Sequence, residues 1–167
     1  METIAKTKQN KKQPGFGLQN EIVINRVFDL AVSKMWQAWT EPEYFKKWWG
    51  PDNFICSFSE MEARVGGKYL NRMQGPFGKE FSSTGVVKEF VPEKKLVVSD
   101  HFSDEKGNTK PASGYGTPGE LLITVTMQEA DGSTRLRLRH EGIPDEMRYE
   151  CIRNWNQSLD KLQKNIR

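Results

Sequence analysis

The chain is poor in the residues that build metal sites, disulfide scaffolds and membrane spans. Its 167 residues include two cysteines, Cys56 and Cys151, and two histidines, His101 and His140. A secreted disulfide scaffold carries more cysteine, so this content points to a reducing cytoplasm. The cysteines show no metal-ligand spacing and the histidines stand far apart, which argues against a zinc site. No apolar run is long enough to cross a bilayer, and none follows the first positive charges as a secretory signal would. A Gly-rich phosphate loop, a nucleophile elbow and a paired-carboxylate motif are all missing, so no cofactor is expected. There is no internal repeat.

Excess charge is scarce as well. The net charge is +3. Residues 1–14 account for all of it, with Lys6, Lys8, Lys11 and Lys12 against Glu2 alone. A neutral body argues against a nucleic-acid surface. The lysines lack the arginines and interleaved aromatics of a nucleic-acid arm. Residues 1–18 therefore read as a solvated, disordered basic leader, and 19–167 as one domain. A hydrophobic fraction of 36% is modest, yet enough for a core at this length.

What the chain does have is tryptophan in one place. Four of its five tryptophans, Trp36, Trp39, Trp48 and Trp49, lie between Ser33 and Phe54. Each buries roughly 150–250 Å², so the segment is a structural anchor or a pocket wall. Ser33 is the expected N-cap of a helix carrying Met35, Trp36 and Trp39. Glu41-Pro42 breaks it, and a second short helix carries Tyr44, Phe45, Trp48 and Trp49 before Gly50-Pro51.

The rest reads mostly as strands. Glu21 to Leu30 comes first, with Ile22 and Ile24 apolar. After the helices, Phe54, Cys56, Phe58 and Glu60 alternate with polar positions. Lys68 to Met73 places Tyr69, Asn71 and Met73 on one face. Phe81 to Val91 follows, then Leu96 to Phe102 with Leu96, Val98, Asp100 and Phe102 sharing a face. Ser103 to Gly119 reads as a long loop. Glu120 to Ala130 and Thr134 to His140 form a hairpin around Asp131-Gly132. A helix from about Pro144 to Ile166 carries Met147, Cys151, Trp155, Ser158, Leu159, Leu162 and Ile166 as an apolar stripe. A sheet with one apolar face must be covered, and only this helix is long enough. The expected architecture is α+β: a curved antiparallel sheet wrapped around the C-terminal helix, with two short helices after the first strand.

The run SKMWQAWTEPEYFKKWWGP resembles that of the family called activator of heat-shock-protein ATPase homologue-like proteins. VGGKYLNRMQGPFGKEF, GVVKEFVPEKKLVVS, HEGIP and NWNQSLDKLQ resemble further pieces of that family, in order. The resemblance runs from about Glu21 to Ile166. It implies a helix-grip fold of the START-like (SRPBCC) superfamily with a hydrophobic cavity between sheet and helix. It implies no particular reaction. Asn154 departs from the glycine often found before the helix tryptophan, and a bulkier residue there would narrow a cavity.

The candidate cavity residues are Trp48, Phe58, Tyr69, Asn71, Met73, Glu89, Val98, His140, Met147, Cys151 and Trp155. For the two tryptophans plain core packing competes with a pocket role. Glu89 shares a strand face with Val87 and Val91; buried, its carboxylate needs a partner such as Arg72 or His140, and a structural ion pair or an exposed position is the favoured reading. Asp100 and His101 are adjacent on a strand, point to opposite faces, and cannot form a dyad. Three functions fit: a carrier of an apolar or aromatic small molecule, a cyclase- or dehydratase-type enzyme using Glu89 and His140, and a co-chaperone-like module with a chaperone partner. Monomer and homodimer both fit the sequence.

Overall fold

In the computed structural model, residues 21–109 and 120–167 are described. The leader expected over 1–18, and residues 110–119 of the expected long loop, lie outside them. β1 (Glu21–Phe28) turns Ile22, Ile24 and Phe28 inward and Val23 and Val27 outward, the period of a half-buried strand. The short helices α1 (Val32–Thr40) and α2 (Pro42–Phe45) come next. Then follow β2 (Ile55–Met61), β3 (Lys68–Gln74), β4 (Glu80–Val91), β5 (Lys95–Ser103), β6 (Leu121–Ala130) and β7 (Ser133–Glu141). α3 (Asp145–Asn165) ends the fold.

All seven strands form one antiparallel sheet in the order β1-β7-β6-β5-β4-β3-β2. Apart from β1, which returns to pair with β7, each neighbour is the next strand in the chain. The sheet curves into a half-barrel around α3, an α+β helix-grip fold. The β6–β7 hairpin forms where Asp-Gly predicts it. Asp131 and Gly132 both have positive φ, 51° and 83°, which a two-residue primed turn requires. Leu121, Ile123, Val125 and Met127 then fall inward beside Leu136, Leu138 and His140.

Two local expectations change. Ser33 is not the cap of α1, because the amide of Met35 already bonds the Ala31 carbonyl at 3.0 Å and the first turn closes before it. The second helix is only Pro42–Phe45; Trp48 and Trp49 lie beyond it in a turn whose amides bond the Phe45 carbonyl.

α3 is fastened at both sides. Arg26 of β1 pairs with Asp160 at 2.8 Å. On the far side Lys161 Nζ donates to the carbonyls of Pro51 and Phe54, at 3.2 and 3.0 Å. Ser158 Oγ accepts the Gly50 N–H, and Asn165 donates to the Lys47 carbonyl. These bonds satisfy loop backbone that no strand reaches. They also fix the Trp-rich segment against one end of the sheet, where it acts as a plug.

Candidate functional site

The stripe of α3 does two jobs along its length. Its C-terminal half is packed solid, with Leu159 and Leu162 fully buried. In its N-terminal half Met147, Cys151 and Trp155 line a hollow of about 1060 Å³, partly open to solvent. That volume lies just above the usual range of small-molecule sites, about 300–1,000 Å³. The opposite wall is inward-facing sheet: Tyr69, Asn71 and Met73 of β3, Leu96, Val98 and Phe102 of β5, Ile123 and Val125 of β6. Trp39 and Trp49 of the plug close one end, and Trp39 stacks on Trp155 at 6.0 Å. Burial pushes the Cys151 thiol up to about 11, so it lines the hollow as an uncharged group.

One polar chain crosses this apolar wall. Trp155 Nε1 donates to His140 Nδ1 at 3.0 Å. An indole N–H can only donate, so Nδ1 carries no proton and the neutral ring holds its hydrogen on Nε2. His140 Nε2 faces Asp100 Oδ2 at 3.7 Å, too far for a hydrogen bond. Asp100 Oδ1 lies 2.8 Å from the Tyr69 hydroxyl, whose oxygen is also 2.7 Å from the Ser99 carbonyl. Tyr69 has one proton and the carbonyl can only accept. The hydroxyl either shares its proton between the two acceptors, or gives it to the carbonyl and accepts one from a protonated Asp100.

Burial favours that state. It raises the Asp100 carboxyl above the ordinary range and holds the His140 imidazole down at about 4. Burial is also the largest cause that raises the Tyr69 phenol, and an ionised Asp100 beside it would raise it further. His140 and Tyr69 are therefore uncharged at neutral pH, and Asp100 is shifted in the direction of its protonated form. Asp100→Asn is the test. The amide mimics a protonated carboxyl, donating to Tyr69 and offering an oxygen toward His140, so the melting temperature is expected to hold or rise. Asp100→Leu removes the donor and is expected to cost about 1–3 kcal/mol. An Asn variant as damaged as the Leu variant would show that an ionised carboxylate is required.

The backbone makes room for this chain. The β4–β5 ladder skips from Thr84↔His101 to Val87↔Val98. In the gap Ser99 Oγ accepts the Val86 N–H at 2.9 Å. A Cβ on Gly85 would lie 1.8 Å from the Ser99 carbonyl oxygen and 2.7 Å from the Tyr69 ring, so only glycine fits beneath the phenol.

Residues 29–167 match the family model described as Activator of Hsp90 ATPase homolog 1-like protein. The chain belongs to that family. Among similar solved structures, a protein from Chromobacterium violaceum superposes with a TM-score of 0.77 at 29% identity, over 88% of this chain and 96% of that one. One from Nitrosomonas europaea gives 0.72 at 22%, over 88% and 94%. An AHSA1 protein from Silicibacter pomeroyi gives 0.71 at 20%, over 86% and 95%. At these identities the last two show a shared fold alone. No curated protein matched the chain. Among the described residues no helix is long and apolar enough to cross a membrane, and no cluster of three or more His, Cys, Asp or Glu is placed to hold a metal.

Of the residues expected to line the family's cavity, the structure brings together Tyr69, Asn71, Met73, Val98, His140, Met147, Cys151 and Trp155. Asn71 is buried, and its side-chain oxygen accepts from Ser59 at 2.7 Å. Asn154, in place of the family's frequent glycine, lies along the hollow. Three expected residues are elsewhere. A bulge between Cys56 and Phe58 shifts β2 by one residue, so Phe58 opposes Arg72 on the outer face, with the guanidinium 5.3 Å from its ring. A second irregularity, between Val87 and Glu89, carries Glu89 outward. It is exposed there, 2.8 Å from Lys95, with neither Arg72 nor His140 as its partner. Glu89 and His140 therefore cannot act on one substrate. Trp48 is fully buried in the plug and does not line the hollow.

Asp100, Trp39 and Trp49 were missed. Asp100 did carry a signal: an acid in phase with Leu96, Val98 and Phe102 on an apolar face must be partnered or uncharged. For Trp39 and Trp49 no signal separates them from Trp48, since all four clustered tryptophans are spaced to be buried.

Proposed function

We propose that this chain is a carrier or receptor for an apolar or aromatic small molecule, held between the sheet and the N-terminal half of α3. The hollow itself carries this reading. A segment that could have been packed like the other half of the helix instead leaves room for a guest, walled by aromatic, aliphatic and Met side chains. Two buried N–H groups on its wall, Trp39 Nε1 and His140 Nε2, have no hydrogen-bond partner among the described residues. Orphaned donors of this kind are uncommon in folded proteins and suit a site that is completed by what it binds.

Because Trp39, Trp49 and Trp155 line the space, a guest changes their surroundings directly. Titration with a library of lipids and aromatic compounds is expected to give a saturable shift in tryptophan emission for members that fit. Emission unchanged across the whole library would remove the basis of this reading.

A further inference from the structure

The polar chain ends in a gap, and the gap has a definite chemistry. His140 is buried, its side chain 7% exposed, and its Nε2–H has no hydrogen-bond partner among the described residues. Asp100 Oδ2 lies 3.7 Å away, and both residues face the same hollow. On the other side each is already committed, His140 Nδ1 to Trp155 and Asp100 Oδ1 to Tyr69. What is left is one donor beside one acceptor. Nε2 has no exposed surface in the structure, so a small shift of the His140 or Asp100 side chain is needed before one oxygen sits about 2.9 Å from both.

We propose that this pair holds a hydroxyl group of the guest, which accepts from His140 Nε2–H and donates to Asp100 Oδ2. The proposal rests on the carrier reading above and names the class of guest: an apolar body ending in an uncharged alcohol or phenol. A hydroxyl both donates and accepts strongly through one atom, as an ether, a ketone or a carboxylate does not. An ether or ketone oxygen satisfies His140 and leaves Asp100 Oδ2 without a donor. A carboxylate brings its lone pairs against those of Oδ2 and adds a buried charge. An ammonium cannot accept from His140. The apolar wall then holds the body, while the pair fixes its orientation with the polar end toward β5 and β7.

Three probes of matched chain length separate the possibilities: decanol, decyl methyl ether and decanoate, titrated into the full chain at pH 7 by calorimetry and tryptophan emission. Decanol is expected to bind about tenfold more tightly than the ether, the ratio one net hydrogen bond supplies, and more tightly than decanoate. In His140→Phe, with folding checked by circular dichroism, the preference for alcohol over ether is expected to vanish while ether binding persists. The wild-type comparison stands by itself if that variant does not fold. Equal binding of all three probes overturns the hydroxyl assignment and leaves the carrier reading intact. Tighter binding of decanoate overturns the assignment as well and would indicate a charged His140 in the complex. Binding by none of them, with no response to the wider library, removes both.

Discussion

Truncating Trp48 to alanine is expected to cost about 3–5 kcal/mol of stability, read as a lower urea midpoint at unchanged slope. The ring is 1% exposed and packs against Trp39 at 4.7 Å and Phe45 at 5.1 Å. Its loss leaves a void that the plug cannot close. A second contribution comes from its nitrogen. Trp48 Nε1 donates to the Ala38 carbonyl at 2.8 Å. In an uninterrupted helix that carbonyl would accept from the residue four positions on, but here that residue is Pro42, which has no N–H. The indole thus replaces the bond that the proline removes, inside a buried helix end. Trp48→Phe keeps most of the volume and deletes the donor, and about 1–3 kcal/mol of the loss is expected from it alone. A phenylalanine variant as stable as the wild type would show that the carbonyl is satisfied in some other way.

Acidification from pH 7 to pH 4 is expected to withdraw up to about 3 kcal/mol through His140 alone. Burial holds the imidazole at about 4, against 6.5 for an ordinary histidine. Between those values the unfolded chain binds a proton that the folded protein refuses. Stability is therefore complete above about 6.5 and lost as pH falls toward 4. Asp100 acts in the opposite direction. Its folded carboxyl titrates above the ordinary 3.8, so in the window above 3.8 the folded state holds a proton that the unfolded chain gives up. Stability from that group rises as pH falls. The wild type shows the difference of the two slopes. Asp100→Asn removes the second and is expected to make acid loss steeper, whereas His140→Gln is expected to flatten it. Denaturant midpoints at pH 7, 5.5 and 4.5 for the three proteins read this directly. Parallel curves would mean that neither group is uncharged in the fold.

The elements were legible wherever period and punctuation agreed. The β6–β7 hairpin follows from strict alternation on both sides of Asp131-Gly132, and α3 from a stripe at three- and four-residue spacing. The site was only partly legible, for a specific reason. Assigning strand residues to a face counts parity, and one extra residue inverts every assignment beyond it. The bulges at Cys56/Phe58 and Val87/Glu89 did this to Phe58 and Glu89. Tyr69, Asn71 and Met73 come from β3, whose register with β4 has no break, so alternation keeps them on one face.

The order of elements, the apolar faces and the turn that joins β6 to β7 were all determined within the chain's own local pattern, because propensity and period act over a few residues. Which residues of α3 line the hollow was decided only by tertiary structure. So was the meeting of Asp100 with His140, which lie on β5 and β7 with β6 between them. Their proton affinities depend on tertiary structure too, through burial and through Tyr69, Ser99 and Trp155, groups that only sheet curvature and helix docking bring within reach. Burial and proton counting are properties of an enclosed space, and no stretch of sequence encloses one alone.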